Sequence, residues 1–235
     1  MPPSTEHIVT SYEDELTELA RTISEMGGLV EKAIVNATEA LIRSDSDLAL
    51  ATIASDKKID AMQTQVDDMA VSIIARRQPM AQDLRLVIAS IHVANDLERI
   101  GDMAKSTARR STQIEGLAMS VQFKNGLRHM GELALRQVKL ALDAFAARDK
   151  DMAVDVFERD TEVDALYVSL FRELLTYMME DPRNITMCTH LLFCGKNLER
   201  VGDHSTNIAE QAYFLATGKS LTADAEDVKR EQIKG

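Results

Sequence analysis

One pattern is written twice in this chain, and that repetition limits the folds open to it more than any other feature. The stretch RSDSDLALATIASDKKIDAM (43–62) matches ARDKDMAVDVFERDTEVDAL (147–166) at an offset of 104 residues. Asp45, Asp47, Ala49, Asp56, Asp60 and Ala61 fall on Asp149, Asp151, Ala153, Asp160, Asp164 and Ala165. Further on, L-E-R-I-G-D (97–102) meets L-E-R-V-G-D (198–203) at an offset of 101. A chain built this way is expected to fold as two similar units with a pseudo-twofold relation between them.

Within each copy, apolar residues recur at three- and four-residue spacing. The run Ile59, Met62, Val66, Met69, Ile73 steps 3, 4, 3, 4, and Leu127, Met130, Ala134, Val138, Ala141, Phe145 steps 3, 4, 4, 3, 4. Strand-like alternation is absent, so the chain reads as all-α. Breakers at Ser44-Asp45-Ser46, Gln78-Pro79, Glu115-Gly116, Arg148-Asp149 and Asp181-Pro182 divide it into six helices, near 7–43, 46–76, 80–112, 118–147, 150–179 and 183–217. Asp181 followed by Pro182 has the form of an N-cap and first-turn pair. Each helix of about 30 residues is roughly 45 Å long, and short connectors between long helices make neighbours antiparallel. The expected architecture is two pseudo-symmetric antiparallel three-helix bundles, residues 1–115 and 116–218, with a polar, stripe-free tail at 219–235.

A net charge of −11 disfavours nucleic acid and anionic lipid as main partners, which are bound by surplus Lys and Arg. No apolar run approaches the roughly 18 residues of a membrane span, so membrane insertion is not expected. The first residues lack the basic and apolar regions of a secretory signal. Cys188 and Cys194, six apart on one helix, point to different sides and read as free thiols, which suits the cytoplasm.

The carboxylates carry the functional signal. On a wheel of the third helix, Leu86, Val93, Leu97, Ile100 and Ala104 form the core seam. Glu98 and Asp102, four apart, stack nearly opposite it in line with Leu84, Ile88, Ile91 and Asn95. Folding the second helix back about Pro79 brings Asp56 level with Asp102, each 23 residues away, and Asp60 level with Glu98, each 19 away. The second copy repeats this about Asp181-Pro182, pairing Asp160 with Asp203 and Asp164 with Glu199. Four carboxylates at one level repel unless protonated or neutralised. Hard cations such as Mg, Mn, Ca or iron are one answer. A lattice of ion pairs with Lys57, Lys58, Arg99, Arg159 and Arg200 is the other, and the residues leave both open. Gly101 and Gly202, each costing about 1 kcal/mol against alanine in a helix, read as clearance beside these acids.

Catalysis finds little support. A ferritin-like di-metal site wants Glu-x-x-His, which is absent; His204 follows Asp203 directly, and Met103 stands in its place in the first copy. His7, His92, His129 and His190 are scattered, the methionines fall mainly on apolar stripes, and there is no phosphate-cradling glycine loop, nucleophile–base arrangement or zinc spacing. The chain is expected not to be an enzyme.

ARRQPMAQDLR (75–85), NDLERIGDMA (95–104) and NLERVGDHSTNIAE (197–210), together with the duplicated layout, resemble the PhoU family of bacterial phosphate-transport accessory proteins over about residues 8–217. The resemblance implies side-by-side three-helix bundles whose acidic motifs bind multinuclear clusters of iron, Mn, Mg or Zn. Matching positions give Glu98, Asp102, Glu199 and Asp203 as metal residues, joined by Asp56, Asp60, Asp160 and Asp164. It also implies a cytoplasmic negative regulator of the phosphate-starvation response and of phosphate uptake. The implied partners are the ATPase subunit of the phosphate ABC transporter, the phosphate-sensing histidine kinase and a second copy of the chain. DPRNITM replaces RQPMAQDLR in the second copy, so Asp83 and Arg85 have no clear twin and the two sites need not be equivalent. The alternative reading is a metal-handling helical protein, either a carboxylate buffer or a di-metal enzyme.

Overall fold

The computed structural model describes residues 5–114 and 116–221, with side chains from Tyr12 onward. The expected tail therefore lies, from residue 222, outside the described residues. The helices are α1 (Thr5–Arg43), α2 (Ser46–Arg77), α3 (Ala81–Gln113), α4 (Val121–Ala147), α5 (Lys150–Glu180) and α6 (Ile185–Thr217), with a 3-10 turn at Pro182–Asn184 before the last. Each boundary falls within three residues of the one read from periodicity and breakers, and no described residue is in a strand. No helix among the described residues is long and apolar enough to cross a membrane.

Local chemistry fixes the ends. The Asp45 carboxylate accepts the Leu48 N–H at 2.9 Å, and Asp149 accepts those of Asp151 and Met152 at 2.8 and 3.1 Å. Such caps are worth about 1 kcal/mol each. Ser44 (φ 55°) and Arg148 (φ 52°) are both left-handed just before them, so the two repeats enter α2 and α5 through the same turn. Part of the repeated acidic pattern is thus helix capping. The hairpin turns differ. Gln78 and Ala81 flank Pro79 in left-handed conformations. Asp181 instead accepts the Arg183 N–H at 3.0 Å. It thereby starts a tight 3-10 turn, which delays the α-helix expected at 183 to Ile185.

Helices α1–α3 form one bundle and α4–α6 the other, joined where α1 meets α4 and α3 meets α6. The joint has the expected pseudo-twofold. Gly27 and Gly131 are equivalent in the repeats, as are Thr38 and Leu142. A Cβ on Gly27 would lie 2.6 Å from Leu142 Cδ1, and one on Gly131 would lie 2.8 Å from Thr38 Cγ2 and Oγ1. Each helix thus meets the other over a glycine. On the α3–α6 side, Asp96 accepts from Asn207 at 3.1 Å and meets His204 Nδ1 at 2.9 Å. Its counterpart Asn197 donates to Thr107 at 3.1 Å.

One apolar cluster runs through both repeats, taking in Met26, Ile59, Leu97 and Ile100 with Val138, Val201 and Ile208. A second fills the far end of the α4–α6 bundle around Leu127, Leu174 and Leu191. Burying each such side chain contributes about 1.5–3 kcal/mol. The α3 seam read from the wheel is buried throughout. Cys188 and Cys194 are free and buried, and burial pushes the Cys194 thiol up to about 12.

Candidate functional site: two acidic layers

Asp56 and Asp60 on α2 face Glu98 and Asp102 on α3, and the charges of Asp56 and Asp102 bear on Asp60 and Glu98. Burial first, then the Asp56 carboxylate, holds Asp60 above its ordinary pKa. Burial and then Asp102 do the same for Glu98, with Asp60 and Asp56 adding to the push. Asp56 is the deepest member, 3% exposed. Lys105, one turn beyond Asp102 on α3, reaches into the middle of the group. Its Nζ donates to Asp56 Oδ2 at 2.5 Å and to Asp102 Oδ1 at 3.3 Å. The hydrogen bond to Asp56 holds the Lys105 ammonium above its usual pKa. Arg99, 60% exposed, reaches Glu98 at 3.5 Å and Asp102 at 3.9 Å from outside.

The second layer joins Asp160 and Asp164 of α5 to Glu199 and Asp203 of α6. Asp160 is pushed up to about 6, by burial first and then by Asp164, Asp203 and Glu199. Thr206 stands where Lys105 stands in the first layer, so no ammonium enters from that position. Lys196 instead pairs with the Oε1 edge of Glu199 from the rim, with its own side chain 44% exposed. Of the other cations read from the sequence, Arg159 turns to Asp155 at 2.9 Å, and Lys57, Lys58 and Arg200 lie exposed.

The two helical glycines have a geometric reason. A Cβ on Gly101 would lie 3.0 Å from Ile59 Cδ1 and 3.5 Å from Asp56 Oδ1. One on Gly202 would lie 2.8 Å from Gln137 Oε1 and 2.9 Å from Asp160 Oδ1. The clearance is filled by the neighbouring helices: α2 packs onto Gly101, and α4 and α5 together onto Gly202.

Among the described residues, no three His, Cys, Asp or Glu side chains converge closely enough in their present rotamers to grip an ion. The donor set still fits a hard cation. It is all oxygen, its neighbouring charges help hold Asp60, Glu98 and Asp160 above their ordinary pKa, and the buried Asp56 Oδ1 and Glu199 Oε2 have no hydrogen-bond partner. Such a set suits Mg, Mn or iron better than Zn.

Two participants escaped the sequence reading. Lys105 carried a usable signal, since it lies three residues after Asp102 on the same helix face. Gln137 carried none, because it arrives from α4 and its counterpart in the first repeat is Ala33.

Comparison with known proteins gives the lineage. The model of the PhoU domain matches residues 23–111 and again 127–212. A phosphate-specific transport system accessory protein PhoU homolog of Rhizobium meliloti is 52% identical over 212 residues, covering 90% of each chain. The homolog from Caulobacter vibrioides is 44% identical over 219 residues, covering 93% of this chain and 95% of its own. The crystal structure of PhoU from Pseudomonas aeruginosa superposes with a TM-score of 0.85 at 43% identity, covering 88% of this chain and 100% of that one. The phosphate transport system regulatory protein PhoU from Streptococcus pneumoniae gives 0.82 at 28% identity, covering 89% and 99%. With both repeats matched by the family model and relatives of this identity aligned over nearly their whole length, the chain belongs to the PhoU family.

Proposed function

We propose that this protein is a non-enzymatic cytoplasmic regulator of phosphate homeostasis. In this reading it restrains phosphate-starvation signalling and phosphate uptake by linking the ATPase subunit of the phosphate ABC transporter to the phosphate-sensing histidine kinase. The observation that carries the reading is full-length similarity to proteins named as accessories of the phosphate-specific transport system. A protein that works by docking needs partner surface. Val168, Phe171, Leu175 and Met179 leave an exposed apolar stripe on the second half of α5, of a kind proteins keep for contacts. A second copy of the chain is among the partners proposed.

The acidic layers are the proposed place for metal ions. Bound there, an ion would neutralise carboxylates that otherwise repel, and so lock α2 to α3 or α5 to α6. Asp56, Asp60, Glu98 and Asp102, and Asp160, Asp164, Glu199 and Asp203, are the residues available to hold it. The partnerless buried oxygens of Asp56 and Glu199 also favour a second reading, a metal-handling protein in which the ion is itself the cargo.

Deleting the gene separates the two. The regulator reading expects starvation genes to stay on in phosphate-rich medium; normal repression in the deletion strain would overturn it. For the metal, the expected result is that protein purified without chelator carries metal which the Glu98→Gln/Asp102→Asn/Glu199→Gln/Asp203→Asn variant loses. Equal metal content in both would sink the assignment.

A further inference from the structure

A groove of about 590 Å³ opens between the start of α1 and the end of α2. Met69 and Ile73 make an apolar floor, and acids stand along the rim: Asp14, Glu15 and Glu18 on α1, and Asp68 on α2. Cations of the fold satisfy two of these. Arg77 holds Glu15 at 2.8 Å with Arg76 at 3.4 Å, and Arg21 donates to Glu18 at 2.8 Å. Asp14 and Asp68 are exposed and pair with no cation among the described residues. The other repeat bridges the equivalent place. There Gln122 stands for Glu18 and Glu173 for Met69, and Gln122 Nε2 donates to Glu173 at 2.9 Å, tying α4 to α5. Phe123 and Tyr177 stand for Leu19 and Ile73, and their rings meet edge to face at 5.3 Å. Leu19, Met69 and Ile73 offer neither the rings nor the bridge, so the α1–α2 groove stays open.

The described chain ends on the same side of the molecule. Gly218, left-handed at φ 76°, closes α6, and Leu221 beyond it is buried. Arg85, at the start of α3, packs on both Phe214 and Gly218. Two residues earlier, Asp83 accepts the Tyr12 hydroxyl of α1 at 3.0 Å, beside the first residues of the groove. Residues 222–235 follow, outside the described residues. In a chain of net charge −11, the stretch VKREQIK (228–234) carries Lys229, Arg230 and Lys234 against the single acid Glu231, with Val228 and Ile233 apolar. Passing from α6 over α3 to α1 takes two interaxial spacings, roughly 20 Å. At full extension from Leu221, Val228 can reach roughly 25 Å and Lys234 roughly 45 Å.

We propose that residues 228–234 dock in the α1–α2 groove of their own chain, with Val228 and Ile233 on the Met69–Ile73 floor and the three cations against the acidic rim. Charge complementarity selects this groove. A second groove of about 420 Å³, on the other flank of α1 against α4, is lined by Thr17, Arg21, Leu142, Phe145 and Arg148, and its charged groups are cations that would repel the segment. Each exposed ion pair contributes little. A tethered segment, however, acts at an effective concentration on the order of millimolar, so weak contacts suffice. Any partner that uses the groove must displace the segment.

The test is disulfide trapping in the full-length chain, whose own Cys188 and Cys194 are buried. Ser72→Cys places a thiol in the α1–α2 groove and Thr17→Cys one in the α1–α4 groove, each combined with Ile233→Cys. Non-reducing electrophoresis reads the rate of bond formation, and circular dichroism checks the helices. The Ser72 pair should close within one chain about tenfold faster than the Thr17 pair. Raising the salt from about 0.05 to 0.5 M should slow it several-fold, and so should adding Asp14→Lys/Asp68→Lys. Without engineered cysteines, trypsin should cut at Lys229 and Arg230 more slowly in wild type than in Asp14→Lys/Asp68→Lys. Equal trapping in both grooves, faster trapping at Thr17, or rates and tryptic cleavage indifferent to salt and to the rim acids would each overturn the proposal. Trapping at Ser72 only between two chains would also overturn it, giving the groove to a second copy.

Discussion

Replacing Gly202 with alanine should destabilise the protein, although an isolated helix would gain from it. The helix term favours alanine by about 1 kcal/mol. Against it stands the contact geometry: the new Cβ lies 2.8 Å from Gln137 Oε1 and 2.9 Å from Asp160 Oδ1, both well inside normal contact. Gln137 is buried and cannot swing into solvent, and moving Asp160 outward presses it against Asp164 and Asp203. Overpacking of this kind costs about 1–3 kcal/mol. The net loss is about 1 kcal/mol, or roughly 2–4 °C in Tm for a chain of this size. Gly101→Ala is the matched control. Its nearest atoms, Ile59 Cδ1 at 3.0 Å and Cγ2 at 3.3 Å, need give by only a few tenths of an ångström, so the propensity gain offsets more of the cost and Tm falls less than in Gly202→Ala or stays level. Thermal melts of both variants, with chelator present to remove any metal contribution, make the comparison. If Gly202→Ala melts at or above wild type, the claim that α4 and α5 close onto this glycine is wrong.

The α1–α4 joint gives a second pair. Gly28 has nothing within 4 Å of a new Cβ, whereas Gly27 faces Leu142 at 2.6 Å, so Gly28→Ala should raise Tm by about 2–4 °C and Gly27→Ala should not. Equal gains would mean the helices do not approach there. A third prediction concerns pH. Arg77 donates to Glu15 at 2.8 and 3.1 Å, and this holds the carboxyl below its ordinary 4.5. A lowered carboxyl pKa gives stability that is present above 4.5 and lost as pH falls through the folded value. Urea unfolding of Glu15→Gln should therefore show a deficit of about 0.5–1 kcal/mol at pH 7 that closes as the pH is lowered through the folded-state pKa; a deficit independent of pH would refute the ion pair as its cause.

The helices and their order were legible because each carries its own punctuation. Asp45 and Asp149 cap α2 and α5 by bonds to N–H groups two or three residues away, and local hydrogen bonding of that kind depends on sequence alone. The level of each acidic layer was legible too, since two rigid helices leaving one turn must match residue counts from it. The start of α6 was displaced because Asp181 and Pro182 wind a tighter turn first. That turn is where the repeats part, with RQPMAQDLR in the first copy and DPRNITM in the second.

The sequence by itself determined six helices, a duplicated plan and two groups of four carboxylates at matched heights, because periodicity, capping and hairpin arithmetic act within one helix or between neighbours. Only the tertiary structure decided what stands among those carboxylates. The rotation of α3 on its axis aims Lys105 at Asp56, and the docking of α4 against α5 and α6 carries Gln137 to Asp160. The joint in which Gly27 and Gly131 each receive the opposite helix belongs to the same level. Such contacts join residues far apart in the chain through packing that no local period encodes, so two stretches that read almost identically come to enclose different chemistry.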